Sequence, residues 1–533
     1  MSEIGTVELV FLLLLLFIIA FGIFARKLRT PYPIVMVVGG LILGFIPSLP
    51  SITLNPDLIF LVVLPPLLYS SAWSTSWRDL RYNLISILFL AFGLVGFTVL
   101  GVALVAPSVF SGFDWRLGLA LGAIVAPTDA IAATSIARRV GLPARVVDIL
   151  EGESLINDAT GLLALEFAIA IVVHKRVPTL SAGLPTLVWL IVGGVGIGLL
   201  VGWVVDRFER LIDDGPIEIA ISILVPYAVY LAANAVHASG VLAVVACGLF
   251  LARRSADLFS PSVRIQIWSV WRSLNFVLNG LVFVLIGLQL PAIRASIRGY
   301  SLRTLLLNGA IFSLLLILLR LAWVFPGAGL SYFLRTRFAH QKAKRPGVRQ
   351  VFVIGWTGMR GVVSLAAALA LPATLADGSP FPQRDLIVFL TFCVIVVTLV
   401  LQGVTLPPLI RALGLAGAAG PNCEEQEARR IVIGAAISHL EAAQERDSEK
   451  SAELYQDLAR HYRQRLAPLQ PSDGNQESLA DHLRHVELSL ETLRIERETA
   501  IRLRDEGRIN DEVLRRIERE LDLTESRLAI ITD

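Results

Sequence analysis

The chain has few of the residues that build metal centres, disulfide frameworks or nucleic-acid-binding surfaces. Its 533 residues include three cysteines and seven histidines, and charged residues make up 17% of the sequence. Cys247, Cys393 and Cys423 are far apart and show neither metal-ligand spacing nor a disulfide pattern. A net charge of +3 is too small to indicate a nucleic-acid partner. We therefore expect no cofactor, no structural metal and no bound nucleic acid.

The sequence also lacks the motifs of a hydrolytic enzyme. Its histidines form no cluster that could hold a catalytic metal. Ser154 lies in a Gly-Glu-Ser-Leu stretch, without the glycine two places further on that a nucleophile elbow requires. An enzyme is therefore the least expected class for this chain.

Apolar sequence, by contrast, is abundant. Hydrophobic residues make up 55% of the chain, and many runs approach the roughly 20 residues that a transmembrane helix needs. The first run lacks a basic flank and a cleavage site, so we interpret it as a retained helix rather than a signal peptide. The composition predicts an all-α polytopic membrane protein with about thirteen spans. These lie at about Leu9–Phe24, Ile34–Ile46, Leu58–Ala72, Leu84–Ala106, Leu117–Ile136, Glu151–Val173, Leu184–Val205, Ile217–Val236, Gly240–Leu251, Leu274–Leu290, Leu305–Phe325, Val351–Leu371 and Leu386–Ile410.

Basic residues in the loops predict the orientation of the chain. With the N-terminus outside, the inner loops hold most of the arginines and lysines, including six between residues 335 and 349, whereas the outer loops hold fewer, among them Lys175, Arg176, Arg294, Arg298, Arg303 and Arg384. This asymmetry follows the positive-inside rule. We therefore expect a multi-pass protein of the cell (inner) membrane, in contact with lipid, whose C-terminal tail is cytoplasmic.

The apolar and charged parts of the chain divide it into three segments. Residues 1–412 are the predicted transmembrane domain, and residues 413–423 form a linker rich in glycine and alanine. Residues 424–533 are charged, with helical spacing, and predict a helical tail. The tail has no catalytic motif, so regulation, a dimer contact and simple solvation are its candidate roles.

Three carboxylates, Glu151, Glu153 and Asp158, lie at or inside the start of the sixth span. Ionised carboxylates are costly in hydrocarbon, and those found there usually line an ion path or pair with a cation. We interpret Asp158, the deepest, as a titrating site for a proton or a metal cation, with Asn157 as a neutral oxygen ligand beside it. The alternative is that Glu151 and Glu153 are interfacial and that only Asp158 is deep.

Two spans, one in each half of the predicted domain, are interrupted by short polar motifs. Pro127-Thr128-Asp129 interrupts the fifth span, and residues 357–361, which include Arg360, interrupt the twelfth. Broken helices expose charged helix ends near the bilayer midplane, and Asp129 could neutralise N-termini and Arg360 C-termini. The unwound carbonyl of Thr128 is a candidate cation ligand. The alternative is that Pro127 only kinks its helix and that Arg360 reaches an interface.

Arg320 is the other costly residue, because it lies inside the apolar run of the eleventh span. Its guanidinium stays charged in nearly any environment and needs a carboxylate partner. Glu153 is the natural candidate, and the pair would fix the site helix against the eleventh span without titrating. The alternative is that Arg320 reaches the cytoplasmic interface along its own stem.

Three motifs stand in order along the chain, Ala126-Pro127-Thr128-Asp129-Ala130-Ile131-Ala132, Gly152-Glu153-Ser154-Leu155-Ile156-Asn157-Asp158-Ala159 and Gly358-Met359-Arg360-Gly361. Together they resemble the monovalent cation:proton antiporter-1 family, which includes bacterial sodium/proton antiporters of the NhaP type and the sodium/proton exchangers of mammals and plants. The resemblance covers roughly residues 5 to 412.

The resemblance implies thirteen helices in two inverted repeats, with a dimerisation domain, a mobile core domain containing two crossed broken helices, and a homodimeric assembly. It implies a secondary antiporter that exchanges Na⁺ or Li⁺ for H⁺ in pH and sodium homeostasis, electroneutrally because Asn precedes the aspartate. The site residues would then be the ion- and proton-binding Asp158, Asn157, Ser154 and Thr128, the structural ion pair Glu153 and Arg320, and the charges compensating the broken helices, Asp129 and Arg360.

One departure from the family pattern leaves the cation open. Some relatives have an acidic residue just after the Leu-Pro-Pro-Leu-Leu segment, where this chain has Tyr69, Ser70 and Ser71. A K⁺/H⁺ antiporter of the same fold is therefore an alternative. A gated cation channel or a membrane sensor is the alternative of another class, although a channel would need a filter loop or charge ring, which the sequence does not contain.

Overall fold

A computed structural model describes residues 3–28, 30–46, 55–174, 180–212, 214–297, 300–338, 340, 345–375, 377–417, 423–445, 452–466, 476–506, 508 and 511–532. The chain divides into two compact units, Met1–Ala419 and Gly420–Asp533. The described residues are helical apart from turns, loops and one isolated β-bridge between Thr374 and Pro380.

The first unit is a bundle of helices. Three of them contain a π-helical stretch, at Ile59–Val63, Phe89–Leu94 and Thr398–Gln402, in which the usual backbone hydrogen-bond ladder is interrupted. The helices are α1 (Glu3–Lys27), α2 (Tyr32–Gly44), α3 (Pro56–Ser74), α4 (Trp77–Val109), α5 (Trp115–Val125), α6 (Ala130–Val140), α7 (Ala144–His174), α8 (Leu180–Glu209), α9 (Gly215–Ala235), α10 (Gly240–Leu258), α11 (Pro261–Leu288), α12 (Leu290–Ser296), α13 (Leu302–Arg337), α14 (Val348–Trp356), α15 (Val362–Leu369) and α16 (Arg384–Ala412).

Nine helices of the described chain are long and apolar enough to cross a membrane, and a tenth span results when α5 and α6 are counted together. These two helices meet at an angle of 42° across residues 126–129. Helix α2 is apolar but only 13 residues long. The sequence prediction of a polytopic all-helical membrane protein therefore holds at this coarser level.

Local sequence signals explain where the broken segments begin and end. Asp114 caps the start of α5 by accepting a hydrogen bond from the backbone of Leu117. Helix α6 ends where Gly141 adopts a positive φ of 72°, a conformation that favours glycine. Helix α11, which is unbroken, starts at Pro261, well before the predicted span at Leu274. Proline is favoured at the first position of a helix, and the charged residues that follow it are also helical.

The helices of the first unit pack as two sets. Helix α2 packs along α11 with α1 beside them, and α10 packs against α3, α8 and α9. In the other set α7 packs against α4, α5 and α6, and α13 packs against α14 and α16. Both broken segments belong to this second set.

The second unit consists of helix pairs within the described residues. Helix α17 (Cys423–Gln444) packs against α18 (Ala452–Leu466), and α19 (Gln476–Asp505) packs against α20 (Asp511–Thr532). Ion pairs join the helices of each pair, with Arg463 Nη2 2.6 Å from Glu441 Oε1 and Arg497 Nη2 2.5 Å from Asp522 Oδ1.

Candidate ion-binding site

The two broken helices meet and hydrogen-bond to each other at their breaks. The backbone N–H of Asp129 donates to the carbonyl oxygen of Met359 at 2.8 Å. The Asp129 carboxylate caps α6 by accepting from the backbone of Ile131 at 2.8 Å. A Cβ atom added at Gly361, just before α15, would lie 2.4 Å from Asp129 Oδ2. The negative charge therefore lies at the N-terminal ends of two helices, where their partial charges are positive.

Arg360 places a positive charge at the C-terminal end of a helix, where the partial charge is negative. Its Nε donates at 3.0 Å to the carbonyl oxygen of Val125, the last residue of α5, and its Nη1 donates to the carbonyl oxygen of Gly358. Its backbone N–H donates to Thr398 Oγ1 in the π-helical stretch of α16 at 3.2 Å. The side chain is buried, so its charge acts on carbonyl groups that water does not reach.

Glu153 and Arg320 form a buried bidentate ion pair. Arg320 Nη1 lies 2.5 Å from Glu153 Oε1, and Nη2 lies 2.8 Å from Oε2, with both side chains 1% exposed. The guanidinium also donates to the carbonyl oxygen of Ile354 in α14, from Nε at 3.3 Å and from Nη2 at 3.1 Å. This pair joins α7, α13 and α14 and satisfies its own charges.

A chain of hydrogen bonds leads from this ion pair towards the break in α5–α6. Thr128 Oγ1 donates to Glu153 Oε1 at 3.1 Å and accepts from Asn157 Nδ2 at 2.8 Å. Ser154 Oγ accepts from the backbone N–H of Ala130 at 3.2 Å. Asn157 Oδ1 is buried and has no hydrogen-bond partner among the described residues. Asn157 does not line the cavity that contains Asp158, so of the predicted ligands it contacts the site through Thr128.

Asp158 is buried without a partner. Its side chain is 9% exposed, and no described residue forms a hydrogen bond or an ion pair with its carboxylate. It lines a cavity of about 70 Å³ together with Thr128, Asp129 and Ser154. A buried carboxylate without a protein partner requires a proton or a cation. Carboxylate, hydroxyl and carbonyl oxygens are also ligands that hard cations prefer.

Three further polar residues line this cavity and were not predicted from the sequence: Ser71 of α3, Asn279 of α11 and Ser364 of α15. Ser364 Oγ is buried and has no hydrogen-bond partner in the described chain. Ser71 belongs to the Tyr69-Ser70-Ser71 segment, so this segment contributes a hydroxyl to the cavity wall where some relatives have an acidic residue. The only sequence signal for these residues is a polar side chain in an apolar span.

The π-helical stretch of α4 holds α7 in position. Thr160 Oγ1 donates at 2.6 Å to the carbonyl oxygen of Ala91, and Trp323 Nε1 donates at 3.0 Å to that of Phe89. Gly161 allows α7 to approach the break, because a Cβ atom there would lie 2.2 Å from Pro127 Cγ. The site helix is therefore held between a π-helical segment on one side and the break on the other.

The structure keeps two other acidic residues of α7 outside the cavity. Glu151 forms an ion pair at 2.7 Å with Arg138, whose side chain is 63% exposed. Glu166, two turns beyond Asp158, is exposed and does not line the cavity. Of the three carboxylates at the start of the sixth span, Glu151 is therefore peripheral, and Glu153 and Asp158 are both buried.

The chain is similar in sequence and in fold to known sodium/proton exchangers and antiporters. A sequence profile described as sodium/hydrogen exchanger, transmembrane, matches residues 11–412. An uncharacterised Na⁺/H⁺ exchanger of Mycobacterium tuberculosis is 32% identical over 517 residues, which cover 95% of this chain and 93% of that protein. A sodium, potassium, lithium and rubidium/H⁺ antiporter of Bacillus pumilus is 34% identical over 450 residues, covering 83% and 66% of the two chains. The sodium/proton antiporter MjNhaP1 of Methanocaldococcus jannaschii has a similar fold, with a TM-score of 0.60 at 20% identity over 78% of this chain and 99% of that one.

Proposed function

Because the chain belongs to the sodium/hydrogen exchanger family, we propose that it is a secondary antiporter that exchanges Na⁺ or Li⁺ for H⁺ across the membrane. The observation that carries this proposal is the buried carboxylate of Asp158, which has no hydrogen-bond or ion-pair partner among the described residues and lines a cavity at the crossing of two broken helices. Transporters of this kind bind their ions where discontinuous helices meet near the midplane.

Asp158 serves as the shared ligand of both ions. A proton neutralises its carboxylate, and a monovalent cation neutralises it equally well, so the two compete for one position. Thr128 and Ser154, which line the cavity, supply neutral oxygens around the cation, and Asn157 positions Thr128 by donating from Nδ2 to Thr128 Oγ1. Glu153 is unable to take part because Arg320 occupies both of its oxygens.

This arrangement favours electroneutral exchange. Only one carboxylate of the cavity changes its occupant, and either occupant carries one positive charge. Asn157 is neutral, and the charge of Asp129 is committed to helix ends. One cation therefore exchanges for one proton, and the loaded site carries the same charge in both directions.

The proposed fold has thirteen membrane crossings in a mobile core and a dimerisation domain. The nine apolar spans and the α5–α6 pair give ten crossings. Adding α2, α10 and the α14–α15 pair brings the total to thirteen, the number that the resemblance implies. We assign the set with the broken helices as the mobile core and the set containing α2 and α11 as the dimerisation domain of a homodimer. The N-terminus lies outside and the helical tail in the cytoplasm, as the loop charges predict.

A K⁺/H⁺ antiporter remains the second candidate because of a specific observation. The Bacillus pumilus relative carries potassium and rubidium as well as sodium and lithium in its name. Helix α3 also contributes Ser71 to the cavity wall, a hydroxyl side chain rather than a carboxylate. A weaker oxygen ligand discriminates less strongly between cations.

The test is proton flux in proteoliposomes with an acid-loaded lumen, a pH-sensitive dye and a clamped membrane potential. Addition of Na⁺ or Li⁺ is expected to alkalinise the lumen in the wild type and not in Asp158→Asn. A response to K⁺ alone would favour the second candidate. Exchange by a folded Asp158→Asn protein at the wild-type rate would contradict the assignment of the site.

A further inference from the structure

A second group of buried acidic side chains lies away from the ion site, where α8 ends and α9 begins. Asp206 and Glu209 belong to the last turn of α8, and Glu218 belongs to the first turn of α9. The exposed fraction is 2% for Asp206 and 3% for each glutamate. None of the three lines the cavity of Asp158. Carboxylates are rarely buried to this extent unless something neutralises them.

Asp206 is neutralised by the protein itself. Its Oδ1 lies 3.0 Å from Arg210 Nη2, and its Oδ2 lies 3.4 Å from Arg254 Nη1. Arg254 belongs to α10, which packs along α8. Each oxygen of Asp206 therefore has a guanidinium partner, and this carboxylate joins two helices in the way that Glu153 does in the other helix set.

Glu209, one turn further along the same helix, has no such partner. Its Oε2 is buried and forms no hydrogen bond, and no described residue forms an ion pair with its carboxylate. The groups that act on it electrostatically from α8 and from the neighbouring helices are acidic: the carboxyl groups of Asp206 and Glu218, the thiol of Cys247 and the phenol of Tyr69. A negative charge on Glu209 would therefore be buried beside other acidic groups, with no cation of the described chain bonded to it.

We propose that Glu209 is a second proton-binding site, separate from the ion site at Asp158. A proton neutralises a buried carboxylate without any further ligand, whereas a bound metal ion needs several. The His, Cys, Asp and Glu side chains that the structure describes include no group of three that could hold a metal ion. The two guanidinium groups bonded to Asp206 also disfavour another cation nearby. These observations favour a proton over a metal ion as the occupant.

The proposed proton site adjoins two helices that form part of the wall of the ion site. Tyr69, an electrostatic neighbour of Glu209, precedes Ser71 on α3. The Tyr69 ring packs against that of Trp271 on α11, with the ring centroids 5.4 Å apart. Helix α11 in turn contributes Asn279 to the cavity wall. Both helices thus extend from the proton site to the ion site. The binding claim goes beyond ion exchange and does not depend on it.

The test detects the proton directly in the purified full-length protein, without any ion gradient. A protonated carboxyl group has an infrared carbonyl band that an ionised carboxylate lacks. We compare the wild type at neutral pH with Glu209→Gln, which has nearly the shape of a protonated glutamate. The matched control is Glu491→Gln, which removes an exposed carboxylate of α19. Asp158 is present in all three proteins, so its band cancels in the difference spectra. Each spectrum is recorded with and without saturating Na⁺.

We expect Glu209→Gln to lose the band of a protonated carboxyl group, and Glu491→Gln to lose that of an ionised carboxylate instead. The Glu209 band should persist in saturating Na⁺ and disappear at alkaline pH. Should Glu209→Gln fail to fold, Glu209→Asp keeps a carboxyl group and should shift the band. Absence of a protonated-carboxyl band from the difference spectrum, its removal by Na⁺, or an unshifted band in Glu209→Asp would overturn the proposal.

Discussion

The polar interior of the transmembrane unit has two regions that differ in how their charges are satisfied. Glu153 and Asp158 lie five residues apart on α7, and both are buried. Glu153 has both oxygens bonded to Arg320 and accepts from Thr128 as well. Asp158 has no protein partner among the described residues.

This difference is the one that we expect between a structural carboxylate and an ion-binding one. A buried charge that is fully paired holds helices together and has no capacity left for a ligand. A buried carboxylate that is unpaired is stable only when something else neutralises it, which makes it responsive to protons and cations.

The largest expected loss of stability comes from Arg320→Met. It leaves the carboxylate of Glu153 buried and uncompensated, and breaking one side of a buried ion pair costs about 3–5 kcal/mol of unfolding free energy. Thermal unfolding in detergent, followed by size-exclusion chromatography, measures the effect. Arg337→Met, at an exposed position of the same helix, should change the stability by about 0.5 kcal/mol or less. Equal midpoints of thermal unfolding for the two variants would show that the Glu153–Arg320 pair does not stabilise the fold.

A smaller loss is expected from Arg360→Gln. Its main partners are the neutral carbonyl groups of Val125 and Gly358 rather than a charged group. Leaving such groups buried without a partner costs about 1–3 kcal/mol. The same unfolding assay should rank this variant between Arg320→Met and the wild type. A loss as large as that of Arg320→Met would mean that Arg360 compensates a full charge.

Gly161→Ala tests the close contact between α7 and the break. The added methyl group would lie 2.2 Å from Pro127 Cγ, and overpacking of this kind costs about 1–3 kcal/mol. Gly196→Ala is the matched control, because a Cβ atom at Gly196 in α8 meets nothing within 4 Å. That control should be neutral or more stable by about 0.5–1 kcal/mol. Opposite signs for the two substitutions are the expected result, and a neutral Gly161→Ala would contradict it.

Ser364→Ala should have the smallest effect and should change ion affinity rather than stability. Ser364 Oγ is buried in the cavity wall without a hydrogen-bond partner in the described chain, so its removal leaves no partner group unsatisfied. We expect an apparent cation affinity lower by roughly threefold, about 0.7 kcal/mol, at unchanged stability. Ser313→Ala is the control, because Ser313 Oγ bonds to Gly309 within α13 and does not line the cavity. An unchanged cation affinity in Ser364→Ala would place the bound ion elsewhere in the cavity.

The sequence predicts the paired region better than the unpaired one, for a physical reason. A charge inside an apolar span must meet an opposite charge or a helix end, and few residues in this chain satisfy that demand. Glu153 can therefore be matched with Arg320, and Asp129 and Arg360 with the breaks, before the fold is known. The charge of Asp158 inside an apolar span also predicts that this residue is important. The sequence does not predict that its carboxylate lacks a partner among the described residues.

The walls of the cavity could not be predicted in the same way. Ser71, Asn279 and Ser364 carry hydroxyl or amide groups, which any face of an apolar helix tolerates, so only the tertiary packing decides that they meet at Asp158. The π-helical stretch Phe89–Leu94 has no distinctive sequence, although its carbonyl groups hold Thr160 and Trp323.

Equilibrium binding of radioactive Na⁺ to the purified protein, measured as a function of pH, tests whether one carboxylate, Asp158, accepts either a proton or a cation. We expect that the wild type binds Na⁺ and that protons displace it competitively, whereas folded Asp158→Asn binds none. Ser364→Ala is the control for a general change in the cavity. This variant should bind Na⁺ more weakly than the wild type, and protons should still displace the Na⁺. Na⁺ binding by Asp158→Asn with wild-type affinity and wild-type pH dependence would show that Asp158 is not the shared site of the proton and the cation.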